Sequence, residues 1–396
     1  MAEREKSQKD GECPVEPISS CRDEHGYVPT GQARGPWIRG APLPLPVWGH
    51  YETPALTVDT VEQYEELASS VELETQRLLR ERRYDTVDNV LRFYRDFKKS
   101  GESNLEHFYR KYQPLIVNER HTCVGLGFEL LRRLCGLNKR FPGLASGLYL
   151  VSCEETIGDI ASYVGGPPAA DSGEKEHVLV CLKIEINNRR GIMLLDPGYH
   201  VARVITVMAD KQYPHTGWFT QSDEPEGKKE YNYTLCQNDP DYVEWHERKT
   251  RPSALERSQV ALIYVARPYL TAIDVTERRN LVYNYRSLLA RDFKGHLVAG
   301  IYFQATLDQP AFNIFHQTNR AKKRMRIPFS KFYDLNKLEL DNEETEMIGE
   351  CSRQMGMSQE NLKGLLSALA TVLYDTSFTK QLLTINAKIN TLAKDN

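Results

Sequence analysis

Cys123, His177 and Asp196 are residues whose types and order could do covalent chemistry. Cys123 ends the polar stretch Asn118-Glu119-Arg120-His121-Thr122 and opens an apolar, helix-patterned run from Val124 to Leu131. A thiol in the first turn of a helix sits where backbone N–H groups point outward, and the positive end of the helix dipole favours the thiolate there. His177 opens the strand-like run to Ile186, and Asp196 closes the next one, Gly191 to Leu195. Asn187-Asn188 joins the two runs, and asparagine tolerates the positive φ of a tight hairpin turn. With those two residues as the turn, Asp196 faces Leu179, and His177 lies on the same side of the sheet. The pair become diagonal neighbours on one face, whereas a three-residue loop would separate them.

In such a set the cysteine attacks a carbonyl, and the histidine takes the thiol proton and later returns one. The aspartate fixes the histidine tautomer and favours the imidazolium. An oxyanion would be held by backbone N–H groups around Cys123. Each member also has a plainer reading: an apolar-face cysteine, a strand-end histidine, and the first residue of an Asp-Pro-Gly turn. Order, secondary structure and hairpin parity together favour the triad. His121, two residues before the cysteine, competes as base, while Cys135 and Cys181 read as packing.

Cysteine, then a histidine opening a strand, then Leu194-Leu195-Asp196-Pro197-Gly198-Tyr199 closing the next strand resembles the arylamine N-acetyltransferase family, within the transglutaminase-like cysteine superfamily. Tyr231 to Leu235, Asp241-Tyr242 and Phe293 to Gly300 extend the likeness, which covers roughly residues 60 to 375. The family's Arg-Gly-Gly-aromatic before the cysteine is here Arg120-His121-Thr122, and His177 follows Cys123 by 54 residues, a long interval filled by the loop Gly165 to Glu176. The resemblance implies an acyl-CoA-dependent N-acyltransferase with an acyl-Cys123 thioester intermediate and ping-pong transfer to an amine. Acetyl-CoA or another acyl-CoA is the implied co-substrate, a small aromatic amine or hydrazine the acceptor, and Gly198 and Tyr199 the residues near the acyl-CoA. The same triad would also serve a transglutaminase-like amidohydrolase or cysteine protease. A catalytically silent binding protein of this fold is the third reading.

The elements that must position the triad follow the order helices, strands, helices, which predicts an α+β fold. Residues 1–55 read as a disordered or extended tail with Trp37, Trp48 and Tyr51 as anchors. Residues 56–145 read as a helical bundle carrying Cys123. Residues 146–270 read as an antiparallel β-barrel or sheet carrying His177 and Asp196, and 271–396 as a C-terminal α/β lid region, a papain-like or transglutaminase-like arrangement. A helix is predicted from about Thr276 to Leu289, and Gln221 to Lys229 reads as a polar loop.

The net charge of −3 gives no hint of general affinity for nucleic acid or anionic membrane. No apolar run approaches the ~18 residues of a membrane span. Met1 to Lys6 lacks the start of a secretory signal. Eight cysteines without a CxxC pair read as reduced thiols of a cytoplasmic protein and argue against structural zinc. The basic run Arg320 to Arg326 reads as a solvated strand edge, with a role at nucleotide phosphates as the alternative. Glycine-rich phosphate loops are absent.

Overall fold

The computed structural model describes residues 33–117, 120–165, 173–252, 254–319 and 321–392. Asn118, Glu119, Arg320, most of the tail, with Cys13 and Cys21, and the middle of the 165–176 loop lie outside them. The fold is α+β, a curled antiparallel sheet and a second sheet with helices packed on both.

Among the described residues the larger sheet has nine strands. Its order runs Ile205–Met208, Arg189–Leu195, His177–Ile186, Leu148–Glu154, Ala254–Tyr264, Tyr242–Arg251, Gly227–Leu235, Phe219–Glu224, and Leu56–Val58 pairs in parallel with the far end of His177–Ile186. Strand side chains alternate between faces, and here both faces are apolar. Tyr149, Val151, Leu179, Cys181 and Leu194 fill the inside of the curl with Tyr233 and Trp245. Leu150, Val178, Val180 and Leu182 face outward and receive Leu126, Leu130, Leu131 and Leu134 of the helix Cys123–Cys135. Each fully buried aliphatic side chain contributes about 1.5–3 kcal/mol by leaving water. A Cβ on Gly127 would lie 2.9 Å from Leu150 Cδ2, so glycine lets the helix approach the sheet this closely.

The smaller sheet orders Lys322–Pro328, Ala311–Gln317, Leu297–Gln304, Tyr285–Arg291, Arg83–Asp85 and Arg120–His121. The helices Asp88–Ser100, Asn342–Gln354, Gln359–Tyr374 and Thr376–Asn390 share its apolar core. Residues 56–145 thus contribute strands to both sheets. Cys123 lies where the chain leaves the edge of the small sheet for the helix that covers the large one.

Two predicted elements differ. In place of a helix over 276–289, a π-helical turn, Ala272–Glu277, runs into a short helix, Arg278–Val282, and Tyr285–Arg291 is a strand. Arg286, Leu288 and Leu289 have good helix propensity, but pairing with Leu297–Gln304 and Arg83–Asp85 overrides it. The 221–229 stretch is a hairpin, with Glu224 paired to Gly227. Its strands look polar because their charges bind the neighbouring basic strand. The strand Tyr242–Arg251 and the helix Asn342–Gln354 are further elements, and in both charged residues outnumber apolar ones. In the N-terminal segment Trp48 is buried against Tyr264 and Tyr269, whereas Tyr51 is exposed.

Candidate active site

The helix Cys123–Cys135 starts at an N-cap, Thr122, whose hydroxyl oxygen accepts from Val124 N at 3.2 Å. That hydroxyl donates in turn to the buried Glu277 carboxylate, which also accepts from Asn89 Nδ2 at 3.1 Å. Burial raises the Glu277 pKa against the lowering effect of those two donors. Cys123 is therefore pinned from the preceding cap and from the π-helical turn.

His177 is the first residue of its strand and is 2 % exposed. The segment before it is tied down by buried charges. Glu154, on the adjacent strand, accepts from Glu174 N at 2.7 Å and from Lys175 Nζ at 2.5 Å, and Arg279 binds Glu174 at 2.5 Å. Thr276 donates to the Lys175 carbonyl at 2.8 Å. A Cβ on Gly173 would fall 2.1 Å from Glu154 Oε2, which requires glycine there.

The hairpin forms with the predicted register, Ile186 opposite Arg189 and Val180 opposite Leu195, and Asn187 and Asn188 take φ of 48° and 61°. Asp196 follows the strand end, fully buried, and its Oδ1 lies 2.9 Å from His177 Nε2. With Asp196 ionised, Nε2–H donates. The same oxygen accepts from Tyr199 N at 2.9 Å, so the Asp-Pro-Gly turn holds the carboxylate in place. Nδ1 is the ring nitrogen that Asp196 leaves free, and Cys123 lies beside the ring, since a Cβ on Gly198 would touch both His177 Cε1 and Cys123 Cβ. Burial pushes the His177 pKa down, but the Asp196 charge and hydrogen bond, with the sulfur, outweigh it and hold it well above the ordinary histidine value. The structure brings all three side chains together.

Gly198 packs directly on the pair, since a Cβ there would lie 2.5 Å from His177 Cε1 and 2.8 Å from Cys123 Cβ. The Tyr199 ring meets the His177 ring edge-on, 4.6 Å between centroids, and its hydroxyl donates to Glu155. Cys123, His177, Gly198 and Tyr199 open on a cleft of about 670 Å³, whose walls include Tyr84, Glu155, Glu174, Glu176, Arg279 and Asn280. Burial and the charges of Glu154 and Glu155 raise the Glu176 pKa well above the carboxylate range. Arg279 is the one Lys or Arg among the described lining residues, and Glu174 neutralises it.

His121 is not in the cleft wall. Burial lowers its pKa to about 4, and its ring lies under the helix start, where a Cβ on Gly125 would meet Nδ1 at 2.6 Å. Cys135 is half-buried at the helix end; Cys181 is buried inside the curl, and desolvation raises its thiol to about 12. The basic strand is matched by carboxylates: Lys322 binds Glu224, Arg324 binds Glu224 and Glu226 at 2.8 and 2.7 Å, and Lys323 binds Glu346 at 2.9 Å. Among the described residues no group of three or more His, Cys, Asp or Glu could hold a metal ion, and no helix is long and apolar enough to cross a membrane. The roles of Thr122, Glu277 and Asn280 were not read from sequence, because their meeting depends on the broken helix at 272–282.

No protein-family model and no curated protein matches the chain. It is similar to the solved structure of an arylamine N-acetyltransferase from Mycobacterium abscessus, at 11% identity over 72% of this chain and 88% of that one, with a TM-score of 0.31. A score of that size decides neither fold nor activity, and the side-chain geometry stands alone.

Proposed function

We propose that the protein is a cysteine acyltransferase that moves an acyl group from an acyl-CoA thioester to an amine through an acyl-Cys123 intermediate. The observation that carries this reading is the buried juxtaposition of Cys123 and His177 against Gly198, with His177 Nε2 2.9 Å from Asp196 Oδ1. In the first half-reaction the thiol proton passes to His177 Nδ1, and the sulfur bonds to the thioester carbonyl carbon. The carbon–sulfur bond to CoA breaks, and His177 returns the proton to the departing CoA sulfur. In the second, the amine nitrogen bonds to the acyl carbon while His177 takes its proton. The bond to Cys123 breaks, and His177 reprotonates the thiol.

Cys123 is 3 % exposed and His177 2 %. A shielded thioester favours capture by an amine over hydrolysis. The acceptor is a small aromatic amine or hydrazine, neutral near pH 7 and so carrying a free lone pair. Gly198 and Tyr199 border the path of the thioester. The carboxylate-lined wall, with Arg279 already paired, is unsuited to phosphates. The pantetheine arm enters the cleft, and the nucleotide stays outside. The six described cysteines are free thiols, which suits a reducing compartment such as the cytoplasm.

The test is intact-mass and peptide analysis after incubation with acetyl-, propionyl- and malonyl-CoA. A single acyl increment on Cys123, absent in Cys123→Ala and discharged by an arylamine, is expected. No labelling by any of the three overturns the donor assignment, and labelling by an amide probe without CoA favours the hydrolase reading instead.

A further inference from the structure

A polar side chain outside the proposed triad reaches the sulfur. Asn280 Nδ2 lies 4.0 Å from Cys123 Sγ, at the outer reach of an N–H···S contact, and among the described residues this is the amide nitrogen's only polar contact. Asn280 is 6 % exposed and borders the cleft. Its position is fixed from both sides. Glu277, one helical turn earlier and so on the same face, holds the Thr122 hydroxyl. On the other side, buried Arg286 donates to the carbonyls of Asn280 and Leu281. The π-helical turn before it sets the phase that aims both side chains at the start of the Cys123 helix, a use such turns often have near functional sites.

The helix start leaves a need for such a donor. Val124 N–H, the first backbone amide after the cysteine, already donates to Thr122 Oγ1. The backbone donors expected around Cys123 are therefore partly engaged, and a side-chain amide directed at the sulfur supplies what that engaged N–H does not.

We infer that Asn280 is a catalytic residue whose amide N–H donates to the Cys123 sulfur as a thiolate and then to the carbonyl oxygen that becomes negative during acyl transfer. The role rests on Cys123 being the nucleophile. In the tetrahedral intermediate the carbonyl π pair resides on that oxygen. It reforms the double bond when the donor sulfur leaves, so Asn280 gives and keeps its hydrogen throughout.

The experiment compares wild type, Asn280→Ala and the isosteric Asn280→Asp in two reactions. One is alkylation of Cys123 by iodoacetamide at pH 7, which needs no acyl donor; the other is the acylation rate with acetyl-CoA. Asn280→Ala should slow alkylation severalfold and acylation about a hundredfold, the usual loss for one oxyanion donor. Asn280→Asp should alkylate more slowly still, because its carboxylate repels the thiolate. Thermal melts establish that each variant is folded, and if the alanine variant is not, the aspartate variant decides. Rates within twofold of wild type in either reaction overturn the inference. If acetyl-CoA fails to acylate the wild type, the donor assignment falls, and the alkylation arm alone decides Asn280.

Discussion

Replacing Asp196 by Asn removes one charge and almost no volume. In the wild type, the carboxyl group and the imidazole ring are 2.9 Å apart at their nearest atoms and fully buried. Two unit charges about 4 Å apart interact by about 4 kcal/mol at an effective permittivity of ~20. If this interaction is realised when His177 carries the proton in the transition state, its loss slows acylation about a thousandfold. The pH behaviour is a second readout. Burial lowers the His177 pKa and Asp196 is the main influence raising it, so Asp196→Asn should move the histidine-dependent limb of the rate profile to lower pH. The stability sign follows from the raised folded pKa. The pair's contribution is fully present below the unfolded histidine value, about 6.5, and is lost as pH rises through the folded one. Asp196→Asn should therefore destabilise by about 1.5–3 kcal/mol near pH 6 and by less at higher pH. Stopped-flow acylation between pH 5 and 9, with urea melts at the two ends, measures both. A variant within threefold of wild type, with an unmoved profile, would refute the assigned role of Asp196.

Gly198→Ala should leave a folded protein with acylation reduced about a hundredfold, read by single-turnover mass labelling, because its methyl would displace His177 and Cys123 from each other. Thr122→Val removes the cap hydroxyl and the donor to buried Glu277. A loss of about 2–4 kcal/mol in urea unfolding is expected, mostly recovered by Thr122→Ser. S-acetyl-N-acetylcysteamine, a thioester without nucleotide, should acylate Cys123 at saturation within about tenfold of acetyl-CoA. A drop beyond a thousandfold would place the phosphates in the cleft after all.

What could be read from the letters was whatever depends on local period and turn chemistry. The Asn187-Asn188 turn fixed the register that places His177 and Asp196 on one face, because a period of two leaves no intermediate answer. The start and the apolar stripe of the Cys123 helix were legible from its helical period. The strand Tyr285–Arg291 was not, since its pairing with residues 83–85, some two hundred positions away, decides its conformation. That difference hid Asn280, which reaches Cys123, and Glu277, which holds the Thr122 cap, since both sit on the short broken helix before Tyr285. The buried pairs Glu154–Lys175 and Glu174–Arg279 were likewise invisible. No sequence spacing announces a charge that another distant charge neutralises.

The central claim is that His177 and Asp196 make Cys123 a nucleophile despite its burial. Peptide-resolved iodoacetamide labelling at pH 6 tests it without assuming any substrate. Cys135 is the more exposed thiol and Cys123 is 3 % exposed, so access alone favours Cys135. Faster labelling at Cys123, reduced at least tenfold by His177→Ala, is the expected result. Labelling that follows exposure, with Cys135 ahead and no effect of His177→Ala, would contradict it.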